Sequence, residues 1–301
     1  MSGRIAVGVD AGGTATVAAL SRDGAFVTSA HGGPGNPSSL GASAAAAAIL
    51  GAIRAVAGEA APDALFVGAA GAGRREVRDA LHASLAQAFP HARVAVDDDL
   101  RVALRAGLAQ GSGIVLVAGT GSVAYAEHGD TRVRVGGAGY LLGDEGSAFA
   151  IGMAAMRLLA RVYDSRAARD ETTALAARAI DAPDRDALLR AMYAAPLDVA
   201  RIAGLAPSIL AFAGKGNRAA TKIVQGAAQE LGDLVRGAAR QAGLHESSPH
   251  VVFAGGLLRE NSLLSYLLET RVLNELPGAA ILRVRDEPAL AALRFAERLP
   301  A

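Results

Sequence analysis

Two places in the chain join glycines to a hydroxyl or a carboxylate, a combination suited to gripping phosphate. The first is Gly8-Val9-Asp10-Ala11-Gly12-Gly13-Thr14. Gly12 and Gly13 let backbone N–H groups approach an anion with no Cβ in the way, and Thr14 adds a hydroxyl. Asp10 ends the apolar run before them, where a carboxylate suits a Mg²⁺ that accompanies phosphates, held directly or through water. The second place is the apolar run Ile114–Ala118 followed by Gly119-Thr120-Gly121-Ser122. Each alone is equally an ordinary hairpin turn. As equivalent turns after equivalent apolar runs, they read together as a pair of phosphate loops. Neither GxGxxG nor GxxxxGK[ST] occurs, which leaves no standard dinucleotide fingerprint and no P-loop.

Three further loops carry polar or acidic groups beside glycines. Asp97-Asp98-Asp99 follows the short apolar run Val94–Val96. One of the three is suited to cap the next helix. A carboxylate at such a strand end also suits a general base that takes a proton from a substrate hydroxyl. Gly136–Ser147 sets five glycines around Tyr140-Leu141-Leu142 and ends in Asp144-Glu145-Gly146-Ser147. It reads as a loop that wraps a small polar ligand, with Asp144 accepting from hydroxyls, or as a loop in which Asp144 or Glu145 caps the following helix. Val252–Leu257 runs strand, Gly255-Gly256, helix, and permits close approach of an adenine or ribose, or is simply a connection.

The elements that position these loops follow from periodicity. Ile5–Val9, Thr14–Leu20 and Ala25–Ala30 read as antiparallel strands, the last two joined by an Asp23-Gly24 turn. A helix over Ala42–Ala57, a strand at Leu65–Ala69, a helix over Arg75–Ala88, a strand at Val94–Val96 and a helix over Leu100–Leu108 complete the order β-β-β-α-β-α-β-α. The same order restarts at Ile114. It continues through the hairpin Val123–Glu127/Arg132–Val135, a helix over Ser147–Val162 and a helical insertion over about 165–243. Val251–Ala254, Leu263–Asn274, Ala280–Val284 and Pro288–Arg298 close it as strand, helix, strand and helix. This predicts two α/β domains, 1–109 and 110–301, facing each other across a cleft, with ligands at the strand ends.

Composition removes other classes. Of 301 residues, 51% are apolar and 20% charged, which is globular rather than disordered. Thirty basic and 29 acidic residues give a net charge of +1, and aromatics are 4%, so nucleic acid is not an expected partner. Cysteine is absent, which excludes disulfides, cysteine-ligated clusters and thiol nucleophiles. His245 and His250 lack the HExxH spacing. No signal-peptide pattern or membrane-length apolar run is read, so a cytoplasmic chain with no membrane partner is expected.

Together the five loops resemble the sugar kinase, actin and Hsp70 superfamily, two ribonuclease-H-like (actin-like ATPase) domains. Within it the chain resembles the BadF/BadG/BcrA/BcrD-type ATPases, and in particular their N-acetylglucosamine kinase and glucosamine kinase members. GVDAGGT at 8–14, the Asn36 loop GPGNPSS, VAVDDDLRVAL at 94–104, VAGTGS at 117–122, GGAGYLLGDEGS at 136–147 and AGGLLRENSLL at 254–264 carry the likeness.

The resemblance implies ATP and Mg²⁺ as cofactors and a small-molecule amino sugar as substrate. It places Gly12, Gly13, Thr14, Thr120 and Gly121 on the β- and γ-phosphates and Asp10 near Mg²⁺. Gly255, Gly256 and Arg259 lie along adenosine, with Gly214 at its border. Asn36, Ser122, Gly137, Ala138, Gly139, Asp144 and Asp99 meet the sugar, and Asp99 deprotonates its 6-hydroxyl. Relatives often carry Asn where Asp98 stands, Trp where Ala138 stands and Gly where Ala291 stands. Ala138 opens the sugar pocket, which admits a kinase for N-acetylmuramic acid or another hexose as an alternative. A non-catalytic ATP-binding switch is the reading of a different class. The resemblance also suggests a homodimer. The iron–sulfur branch of the family needs cluster cysteines, which this chain lacks.

Overall fold

The computed structural model describes residues 3–193, 196–258, 262–284 and 287–300, the side chain of Ser38 excepted. The chain divides into two compact units. One comprises 1–110 with 284–301, and the other comprises 111–283.

In the first unit, β1 (Ile5–Ala11), β2 (Thr16–Arg22), β3 (Ala25–Gly32), β4 (Ala64–Ala69) and β5 (Arg93–Asp98) form one sheet in the order β3-β2-β1-β4-β5. β1 runs antiparallel to β2 and parallel to β4, and β4 is parallel to β5. The β2–β3 hairpin turns at Asp23-Gly24, both with positive φ (50° and 77°), as the primed turns of hairpins require. Both faces of β1 are buried, so its alternation divides between two cores. Val7, Val9 and Ala11 point into a core with the helices Ala42–Ala57 and Arg75–Ala88. Ala6 points the other way, with Ala64 and Phe66, into a core shared with the helices Asp99–Gly107 and Pro288–Glu297.

The second unit repeats this arrangement. β6 (Gly113–Ala118), β7 (Ser122–His128), β8 (Thr131–Gly136), β9 (His250–Ala254) and β10 (Ala280–Arg283) lie in the order β10-β9-β6-β7-β8. Read from β8, the order and strand senses match those of the first sheet. Among the described residues, six helices lie between β8 and β9. The first is Ala148–Tyr163 and the last is Arg218–Gln241, whose residues Val224, Leu231, Val235 and Ala238 face the core with helical spacing.

The division corrects the sequence expectation at one end. Residues 284–301 belong to the first unit, not to the second domain in which sequence order places them. The helix Pro288–Glu297 lies so close to β1 that a Cβ on Gly8 would overlap the Leu293 backbone. Phe295 stacks on Phe66 at 4.6 Å and 19°, and the Arg101 guanidinium lies 4.9 Å from its ring centroid. Sequence order says nothing of such a return, because the apolar stripe of the last helix fits either sheet. Ala291 is 2% exposed in this contact.

Candidate active site

In the first unit the acidic strand ends lie in one corner. Asp10 on β1 pairs with Gly68 on β4, which pairs with Asp97 on β5. A Cβ on Gly68 would overlap the Val102 side chain and lie 3.6 Å from the Asp99 Cα. The missing side chain therefore lets the helix Asp99–Gly107 settle on β4 and brings Asp99 beside the strand neighbour of Asp10.

The three consecutive aspartates have different jobs. Asp98, buried, accepts from the Leu100 amide at 3.0 Å and caps the helix. Asp97 pairs with Arg101 at 2.7 Å and accepts from the Asp98 amide at 2.9 Å. Asp99 is the first helical residue, half-buried.

Asp10 is a largely buried carboxylate with no hydrogen-bond donor among the described residues. Burial, with a smaller contribution from the Glu287 charge, raises its pKa from 3.8 to about 6. The turn that follows is closed by the Gly12 amide donating to the Ala15 carbonyl at 2.9 Å. Gly13 and Thr14 are exposed on it. The Gly35 amide donates to the Gly12 carbonyl at 3.0 Å, and a Cβ on Gly13 would lie 3.9 Å from Asn36 Nδ2. The structure thus brings Asp10, Gly12, Gly13, Thr14, Asn36 and Asp99 to one end of the first sheet.

In the second unit the turn after β6 is built on the helix Ala148–Tyr163. The Ala148 and Phe149 amides donate to the Gly119 and Thr120 carbonyls at 2.9 and 3.3 Å. The Asp144 carboxylate sits against this turn. It accepts from the Ser122 amide at 3.2 Å, and a Cβ on Gly121 would lie 2.7 Å from its Oδ1. Asp144 takes a left-handed backbone (φ 59°), which costs a non-glycine residue about 1 kcal/mol. Burial raises its pKa, the Ser122 amide opposes that, Glu145 adds to it and Arg134 opposes it.

Neither Asp144 nor Glu145 caps the following helix. Ser147 does, accepting from the Ala150 amide at 3.2 Å. Ser122 is buried and its hydroxyl donates to the Glu145 carbonyl at 2.6 Å, so its proton holds the loop. Gly137 lies beside Arg134. Ala138 and Gly139 are exposed on a tight turn in which the Gly143 amide donates to the Gly139 carbonyl at 2.8 Å.

The connection after β9 is anchored to the same turn. Gly255 has a φ of 90°, and a Cβ there would overlap the Ala118 carbonyl, the last of β6. Gly256 starts a short 3₁₀ turn, Gly256–Leu258. Arg259 falls outside the described residues. Gly214 ends the helix Ala206–Gly214 on an exposed face, where a Cβ would meet nothing within 4 Å.

The second unit therefore gathers Thr120, Gly121, Ser122, Asp144 and Gly255 around one strand end, while Gly214 is not tied to them. Sequence reasoning missed Glu287 and Arg134, the charges that act on Asp10 and Asp144. Glu287 is remote from Asp10 along the chain, and Arg134 reads only as a strand residue.

No group of three or more His, Asp or Glu among the described residues forms a metal cage. The donor set instead fits an ion held largely by phosphates and water, with the unpaired Asp10 carboxylate as its protein anchor. No helix of the described residues is long and apolar enough to cross a membrane.

Two copies of a five-stranded ribonuclease-H-like unit, each with a Gly/Thr turn after its first strand, define an actin-like ATPase fold. The chain belongs to the BadF/BadG/BcrA/BcrD ATPase family, whose model matches residues 7–296. It is similar to an N-acetylmuramic acid/N-acetylglucosamine kinase of Clostridium acetobutylicum, 26% identical over 77% of this chain and 76% of the relative. An N-acetyl-D-glucosamine kinase of Dictyostelium discoideum is 27% identical over 67% of this chain and 64% of its own length. A solved Chromobacterium violaceum protein, provisionally named N-acetylglucosamine kinase, shares the fold. Its TM-score is 0.78 at 24% identity, over 98% of this chain and 100% of that one.

Proposed function

We propose that the protein transfers the γ-phosphoryl group of ATP to the 6-hydroxyl of an amino sugar, N-acetylglucosamine or glucosamine. The observation that carries this reading is Asp144 held against the Thr120-Gly121 turn. A hydroxyl-accepting carboxylate and a phosphate loop fastened together suit an enzyme that brings a sugar to a nucleotide. The kinase names of the two curated relatives support the same reading.

In this mechanism the glycines of the two turns present amides to the β- and γ-phosphates, and Thr14 and Thr120 add hydroxyls. Asp10 would hold Mg²⁺, directly or through water, and the ion would neutralise charge on the phosphates. Asp144 and Asn36 orient the sugar. Asp99 accepts the 6-hydroxyl proton as the sugar oxygen bonds to phosphorus and the bond to the β-phosphate oxygen breaks, releasing ADP. Asp99 is chosen because it opens the helix Asp99–Gly107 beside Gly68, the strand neighbour of Asp10.

A second reading, N-acetylmuramic acid as substrate, is favoured by the small, exposed Ala138, which leaves room for a lactyl ether, and by the name of the Clostridium relative. The test is ADP release with Mg-ATP against N-acetylglucosamine, glucosamine, N-acetylmuramic acid, glucose and no sugar, with mass spectrometry of products. A 6-phosphate of one amino sugar is expected. Nucleotide binding with no phosphorylated sugar would replace the kinase reading with that of an ATP-binding switch.

A further inference from the structure

The second unit carries a cavity of about 1360 Å³ that none of the residues assigned above lines. It opens between the later turns of the helix Ala148–Tyr163 and the first turns of the helix Arg218–Gln241. Its walls include Leu158 and Ile223, both half-buried, and four cations: Arg157, Arg161, Arg218 and Lys222.

These cations are exposed and come in like-charged pairs. Arg157 and Arg161 are four residues apart on one helix, and Arg218 and Lys222 are four apart on the other. Like charges at that spacing repel and destabilise a helix. None of the four side chains has a hydrogen bond or ion pair with the described residues. Asp170 also lines the cavity, but its carboxylate accepts from the Thr173 amide at 3.0 Å and caps the next helix. The N-terminal end of the helix Arg218–Gln241 adds further positive character at the same wall.

We infer that this cavity binds a small organic phosphate: a phosphomonoester whose dianion lies among the four cations and whose organic body lies on Leu158 and Ile223. Phosphate answers the arrangement better than a carboxylate, because it carries up to two charges and three strong acceptors on one centre. Cations from two helices lining one cavity can share those acceptors. The volume accommodates a body of ligand size beyond the phosphate.

Phenyl phosphate serves as the probe, titrated calorimetrically without Mg²⁺ into the wild-type chain and into R161Q/K222Q. Neither residue belongs to the phosphate turns, so the difference between the two titrations isolates the cavity. The wild type is expected to show a binding event that weakens as salt rises. The double variant is expected to bind at that site at least about tenfold more weakly. R161K should retain part of the affinity. Hydrogen exchange provides a second readout: phenyl phosphate should slow exchange in peptides covering 154–161 and 218–225 of the wild type only.

Identical titrations of the two proteins, or no binding by either, would overturn the inference. So would sedimentation showing that R161Q/K222Q converts a dimer into a monomer without any probe binding, since a second copy of the chain would then be the occupant.

Discussion

Replacing Asp10 with Asn tests the first corner of the site by a route independent of turnover. The Asp10 pKa rises from 3.8 to about 6 because the carboxylate is buried and Glu287 is near. A raised acid pKa means that the folded chain keeps a proton the unfolded chain releases between about pH 4 and pH 6. Its contribution to stability is fully present below pH 4 and lost as pH rises through 6. A shift of about two units corresponds to about 3 kcal/mol. Asn keeps the shape and carries no charge. Asp10→Asn should therefore match the wild type near pH 4 and exceed its stability by up to about 3 kcal/mol at pH 7. Hydrogen exchange of a peptide spanning 5–11, measured from pH 4 to 8, reports this for the unit concerned. The variant minus wild-type difference isolates Asp10 from the other acids. Mg-ATP should stabilise the wild type more than the variant. A flat difference across that range would refute both the burial argument and the account of Asp10 as a carboxylate awaiting a cation.

The remaining predictions separate roles within the site. Asp99→Asn should lower kcat by ~10²- to 10⁴-fold while sugar binding, read by calorimetry, persists. Near-wild-type turnover would remove Asp99 as base. Asp98→Asn should leave turnover near wild type, whereas Asp98→Ala should cost about 1 kcal/mol of stability in urea through loss of the helix cap. Gly121→Ala pushes a methyl group into Asp144 and should raise the sugar KM about tenfold, the equivalent of about one disrupted hydrogen bond, with a smaller effect on the ATP KM. Gly8→Ala should destabilise the first unit by about 3 kcal/mol through overlap with the Leu293 backbone, detected as faster exchange in the peptide spanning 5–11.

Strand and helix order was legible in the sequence because the local signals agree with one another. Apolar runs end at Asp10 and Ala118, Asp23-Gly24 permits a primed turn, and Ile223, Ala227, Leu231, Leu234 and Ala238 have helical spacing. The repeat of that order disclosed the repeated sheet. What the sequence left open depends on contacts across distance. Three adjacent aspartates look alike until Asp98 accepts from the Leu100 amide and caps the helix that Asp99 opens. Asp144 and Ser147 compete as caps until the backbone of Asp144 turns left-handed and aims its carboxylate at Ser122. Gly8 belongs to a run read as phosphate-binding, yet its own lack of a side chain serves the last helix.

That last helix also sets the order in which the protein can mature. Ala6, Ala64 and Phe66 are synthesised early, but their cover, Ala292, Leu293 and Ala296, is encoded after the whole of the second unit. Until residues 288–297 are made, only the helix Asp99–Gly107, through Val102 and Ala106, can cover that face of the first sheet. The second unit, uninterrupted in sequence, meets no such delay. Chains stalled before residue 284 would present that sheet half-covered.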